Sequence, residues 1–146
     1  MNSATSWPLS AILLALSGVM VMAIGLFFLF LRPPLLPEDL HYIGVSLPQI
    51  EAAVPRLLLW LPQVFRVLGG FALATGVLTV TLAVTSFRAR QREAAAGASI
   101  AGAASIGLMA IINVIIDSEY KWLLLAITAV WALSLILFWV ERKSHR

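Results

Sequence analysis

The sequence predicts an all-α integral membrane protein: a four-helix bundle with a proline-rich, partly helical amphipathic loop between its first and second helices. Three observations carry this. Hydrophobic residues make up 61% of the 146 and charged residues only 12%, and the mean hydropathy is +0.97, more apolar surface than a soluble fold of this size can hide. The apolar residues fall into four runs, each near or above the length that crosses a bilayer. The basic residues gather in short clusters at the ends of those runs, which suits membrane topology, rather than along one face, which would suit nucleic acid.

The first run, 8–31, carries no charge until Arg32 and at helical rise spans roughly 36 Å. It differs from a secretory signal, which needs a basic leader and a shorter apolar stretch. The segment 1–7 has no basic side chain, so the helix is expected to be retained.

The loop 32–66 is long for a bundle connection and holds Pro33, Pro34, Pro37, Pro48, Pro55 and Pro62. Pro37 followed by Glu38 and Asp39 starts a short helix, with proline at its first position and acids at the positive end of its dipole, and Gly44 ends it. Downstream, Ile50, Ala53, Val54, Leu57, Leu58, Leu61, Val64 and Phe65 recur at helical spacing. Prolines seven residues apart predict broken amphipathic pieces at the membrane interface, with Trp60 at that depth, kinking into the next span.

The remaining spans are expected at 67–87, 99–116 and 122–140. Trp122 and Trp139 bracket the last about 26 Å apart, where two headgroup layers would lie. Arg88, Arg90 and Arg92, and then Arg142, Lys143 and Arg146, put the second connection and the tail in the cytoplasm. The chain then reads as a single transmembrane domain, 1–146, of the cell (inner) membrane, with both termini inside and the loop 32–66 on the non-cytoplasmic face.

Small residues suggest how the helices pack. Gly69, Ala72, Gly76, Thr79, Ala83 and Ser86 form one stripe on the second span; Gly97, Gly102 and Gly107, with Ser99, Ala103, Ala110, Asn113 and Asp117, mark the third. These two faces are expected to meet. Arg66 and Asp117 then fall at one level and are expected to pair, with Asn113 a turn deeper, where an amide in hydrocarbon needs a partner. Trp131, near mid-membrane, poses the same question through its indole N–H. Arg66, Asn113, Asp117 and Trp131 are the candidate ligand-binding residues.

Chemistry has few footholds. Cysteine is absent, which removes disulfides, thiolate catalysis and thiolate-bound metals. Glu38 and His41 have the spacing of one Glu-x-x-His metal pair, and Asp39 adjoins them, but the only other histidine, His145, belongs to the opposite side. The outer-loop cluster Glu38, Asp39 and His41 is therefore read as dipole-complementing. No catalytic residue, metal or cofactor is assigned. There is no Gly-x-Ser-x-Gly elbow or phosphate-cradling loop, and the spans contain neither the interior acid of a coupled exporter nor an axial histidine for haem.

From Arg66-Val-Leu-Gly-Gly-Phe-Ala-Leu-Ala-Thr-Gly through a short arginine-rich turn, a small-residue helix ending Asn113-Val-Ile-Ile-Asp117 and a last apolar helix, the chain resembles small DoxX-like bacterial inner-membrane proteins. The resemblance implies a four-helix fold and no particular reaction; the proline-rich loop departs from it. The residues favour a noncatalytic accessory or scaffold subunit, whose partners are membrane lipids and a membrane protein or a second copy, not nucleic acid. The alternatives are a binder or carrier of a lipid-like molecule in a pocket under the outer loop, and an outer-face enzyme using Glu38, Asp39 and His41.

Overall fold

The computed structural model describes residues 7–144. His145, Arg146 and residues 1–6 lie outside that range. Among the described residues the chain is helical without strands: α1 (Leu9–Phe30), α2 (Pro37–Ile43), α3 (Leu47–Ala53), α4 (Leu57–Phe87), α5 (Arg92–Ile115) and α6 (Lys121–Ser144). Four of these, α1, α4, α5 and α6, are long and apolar enough to cross a membrane. Residues near both ends of the chain meet at one end of the bundle with the α4–α5 turn, while α2 and the α5–α6 turn meet at the other, the loop end.

Helix α1 is central. Ser10, Ala11, Leu14, Ser17, Gly18, Val21 and Gly25 are buried along it, a heptad-like seam that packs against α4 and α6. Its closest approach is to α4, through two glycine pairs spaced seven residues apart on each helix. A Cβ at Gly25 would lie 2.5 Å from the Leu73 nitrogen and 2.8 Å from the Gly69 carbonyl oxygen; one at Gly76 would lie 2.7 Å from the Gly18 oxygen. Only glycine admits backbones this close. Of the small-residue stripe on α4, Gly69, Gly76 and Ala83 are buried and Ala72, Thr79 and Ser86 are half-buried, and its partner is α1, not the third span. The reason is that α1 carries its own glycines, whose spacing matches in the antiparallel sense.

Helix α5 buries Ala94, Ala95, Ala98, Gly102, Ile106 and Ala110. Steps of four drift about 40° each around a straight α-helix, and a wide π turn at Ala103–Gly107 takes up the drift. That turn separates the actual face from the expected one: Ala103 is exposed, Gly97 stands in open space, and a Cβ at Gly107 would meet only the carbonyl of Gly102 in its own helix. Gly102 does pack, since the Trp131 indole occupies the space a side chain would need. A second wide turn, Ala83–Phe87, ends α4 and brings Phe87 onto Phe138, centroids 4.6 Å apart.

Two spans start earlier than hydropathy predicts. Helix α4 begins at Leu57 rather than 67, with Pro62 inside it. That proline is the sixth residue of the helix, past the first turn, and forfeits the bond an N–H there would give to the Leu58 oxygen. Val54, before Pro55, is extended (φ −139°, ψ 76°) and makes the break from α3. Helix α5 begins at Arg92 because Glu93 faces the positive end of its dipole and Ala94, Ala95 and Ala96 are strong helix formers. The short helix predicted from Pro37 is α2, closed by Gly44 at φ 76°.

Among the described residues, two other than glycine adopt a left-handed conformation, Arg90 (φ 61°) and Asp117 (φ 55°). Both end a helix in the same way. The Gln91 and Ser118 N–H groups reach back to the Ser86 and Asn113 oxygens, and those of Arg90 and Asp117 to the Phe87 and Val114 oxygens, the bonding of a Schellman turn.

Candidate functional site

At the loop end, α1, α5 and α6 splay apart and leave a cavity of about 520 Å³, whose cap is formed by Leu36, Glu38 and Asp39 at the start of α2. Its walls are mostly aliphatic and aromatic, including Met20, Ile24, Phe27, Met109, Ile112 and Leu124; its polar lining comes from Arg32, Glu38, Asp39, Asn113 and Tyr120. That size and that ratio of apolar wall to few polar groups are those of small-molecule pockets.

The cap is held by buried polar contacts. Glu38 is 8% exposed, and Ser118 donates its hydroxyl to Glu38 Oε1 (2.9 Å) while accepting the Tyr120 N–H (3.1 Å). Asp39 accepts the Leu36 N–H (2.9 Å), capping α2, and pairs with Arg32 (3.0 Å). The Arg32 side chain is 9% exposed, with its guanidinium carbon 3.5 Å above the Phe65 ring of α4 and a further bond to the Pro33 oxygen (3.2 Å). Burial pulls Arg32 below its ordinary pKa, against the opposing pull of Asp39 and Glu38. One arginine at the end of α1 thereby ties α1, α2 and α4 together.

Of the four ligand-binding candidates, the cavity includes only Asn113. Its Nδ2 donates to the Met109 oxygen of its own helix (2.9 Å) rather than to a neighbouring helix, and the amide lines the cavity. Arg66 does not pair with Asp117: it is exposed and donates to Gln63 (3.0 Å), whereas Asp117 pairs with Lys121 four residues on. Helix α4 starts ten residues before the expected span, so Arg66 lies a full two turns inside it. Lys121 also draws the exposed Asp117 carboxyl below its usual range, chiefly through their hydrogen bond. Trp131 is structural. Its indole donates to the Ala98 oxygen (3.0 Å) and fixes α6 against α5.

The outer-loop cluster is dispersed. Glu38 turns to Ser118, Asp39 to Arg32, and His41 is exposed. Among the described residues no three of His, Cys, Asp and Glu come together. The structure adds Phe27, Arg32, Ser118 and Tyr120, which sequence reasoning did not single out. Arg32 was legible in principle: a lone cation ending a span, seven residues before the acid that caps the next helix.

At the opposite end, Glu141 of α6 accepts from the Ser10 hydroxyl (2.6 Å) and backbone N–H (3.3 Å) and from Arg90, which also donates to Ser10 Oγ (2.9 Å). Arg142 donates to the Arg90 oxygen (3.3 Å). This latch joins α1, the α4–α5 turn and α6.

No protein-family model matches the chain, and neither a curated protein nor a solved structure matches it.

Proposed function

We infer that the protein binds or carries an amphiphilic small molecule, with the apolar part in the cavity among α1, α5 and α6 and the polar part beneath α2. The observation that carries this reading is the cavity itself: roughly drug-sized, apolar along most of its walls, with few polar groups, among them Glu38 and Asp39 at its cap. In this reading the four long helices lie in the inner membrane, both termini face the cytoplasm, and the cap lies on the other side. Kinship with DoxX-like proteins belongs to the same proposal and rests on the residues quoted above. Arg66 does not line the cavity and has no part in this reading.

The test is native mass spectrometry of protein extracted gently from its own membrane. A bound small molecule is expected, and Ala23→Phe, which fills the cavity from α1, is expected to remove it while the thermal unfolding midpoint holds. Unliganded wild-type protein that also takes up no added amphiphile would overturn the reading.

A second reading, a noncatalytic accessory subunit or homo-oligomer, is favoured by one observation. Gly70 and Gly97 sit in helices with nothing within 4 Å of where a Cβ would be, so no contact among the described residues explains their helix-propensity cost of about 1 kcal/mol each. Contact with another helix would explain it. Crosslinking in native membranes checks this: a product lost in Gly70→Leu supports it, and a chain that remains monomeric removes it.

A further inference from the structure

The cavity holds an unbalanced charge. Three ionisable side chains of opposite sign line it, Arg32, Glu38 and Asp39. Arg32 and Asp39 neutralise each other at 3.0 Å, and the remaining capacity of Arg32 goes to Pro33 and the Phe65 ring. Glu38 is left with one neutral donor, the Ser118 hydroxyl, and no ion pair. Lys121 is engaged by Asp117 outside the cavity. A carboxylate in such surroundings is costly without a countercharge; the cation on the cavity wall, Arg32, acts on Glu38 without a direct ion pair and is already bonded to Asp39.

Two rings stand at the same place. Phe27 and Tyr120 line the same cavity as Glu38, their ring centroids 6.1 Å apart, and the Ser118 hydroxyl joins Glu38 to the Tyr120 backbone N–H. Aromatic faces beside a carboxylate recognise ammonium groups, where ring quadrupole and charge act together. An anionic head would meet surplus negative charge. A neutral head would leave Glu38 uncompensated.

Resting on the binding function inferred above, we propose that the ligand is an ammonium-bearing amphiphile, its cation seated between Glu38 and the rings of Phe27 and Tyr120 and its tail along α1 and α5. The ammonium belongs either to a phospholipid headgroup or to a free lipophilic amine.

The experiment uses the full chain in a non-ionic amphipol and three probes with tails of matched length: dodecyltrimethylammonium, monolaurin and dodecyl sulfate, with affinities read by native mass spectrometry. The cation is expected to bind about tenfold more tightly than the neutral probe, and the sulfate most weakly. Glu38→Gln should bring the ratio of cation to neutral probe within about twofold, and Tyr120→Leu should lower it. If Glu38→Gln does not fold, the wild-type ranking and Tyr120→Leu decide. Equal binding of cation and neutral probe by the wild type overturns the ammonium assignment and leaves the binding function standing; no binding of any probe overturns both. Competition by added phosphatidylethanolamine assigns the ammonium to a lipid headgroup, and a supported ranking without competition assigns it to a free amine.

Discussion

Gly69 and Gly70 are neighbours in one helix with opposite reasons for existing. A Cβ at Gly69 would fall 2.8 Å from the Gly25 oxygen and the Leu29 nitrogen, both backbone atoms, whereas Gly70 faces open space. Gly69→Ala is therefore expected to destabilise the protein by about 1–3 kcal/mol by forcing α1 and α4 apart, and Gly70→Ala to stabilise the isolated chain by up to about 1 kcal/mol through helix propensity. Unfolding midpoints in mild detergent compare them, and equal effects would contradict the interface. Arg90 and Asp117 form a similar contrast. Both occupy left-handed positions that glycine relieves. Asp117→Gly gives up only an exposed pair and is expected to be neutral or stabilising. Arg90→Gly removes the cation bonded to Glu141 and Ser10 and is expected to cost about 1–3 kcal/mol despite the relief. The pH sign for Asp117 follows from its depressed pKa: the contribution of its pair is present above the unfolded value, about 3.9, and is lost as pH falls through the lower folded value. Between pH 7 and 5 the stability difference between wild type and Asp117→Asn should stay constant, and it should shrink only in stronger acid.

Helix α2 has only seven residues, too few to be stable alone, so its place over the cavity rests on the side chains that hold it. Arg32 contributes most, through Asp39 and the Phe65 ring. Arg32→Ala is expected to raise hydrogen exchange of the α2 amides roughly tenfold while the buried Gly18 and Gly76 region of α1 and α4 keeps its protection. Uniform loosening of all helices would show that Arg32 supports the whole bundle instead. The start of α2 was readable from sequence because its signals are local: Pro37, two acids and Gly44. The four long apolar helices were readable because lipid-scale length and hydropathy leave few other solutions. Helix pairing was not readable, since Gly69 and Gly76 advertise a close neighbour without naming it, and Gly18 and Gly25 in α1 answer only once the antiparallel register is known. A pocket under the outer loop was among the sequence expectations, but most of the lining of the cavity was hidden. Asn113 could be found as an amide out of place, but Phe27, Tyr120 and Met20 look like ordinary span residues, and the partner of Glu38, Ser118, lies 80 positions away. The wide turns in α4 and α5 defeated face prediction for a different reason: each inserts a residue that no period of 3.6 anticipates.

For the molecule as a whole, the two ends of the bundle differ in charge. Among the described residues, Arg88, Arg90, Arg92, Arg142 and Lys143 belong to the end with the α4–α5 turn, against Glu93 and Glu141; Arg32, Arg56, Arg66 and Lys121 belong to the loop end, against Glu38, Asp39, Glu51, Asp117 and Glu119. In the topology proposed above, this bias in Lys and Arg sets orientation with the cavity cap on the non-cytoplasmic side, where an amphiphile would enter from the outer leaflet or beyond. The absence of cysteine makes the test clean, because any thiol introduced is the only one present. Tyr42→Cys, on exposed α2, and Gln91→Cys, on the exposed α4–α5 turn, should react oppositely in intact cells with a maleimide that cannot cross membranes. Tyr42→Cys is expected to label at once, and Gln91→Cys only after permeabilisation. The reverse pattern would invert the protein and turn the cap toward the cytoplasm, while labelling of both in sealed cells would mean that the two ends do not lie on opposite sides of a membrane.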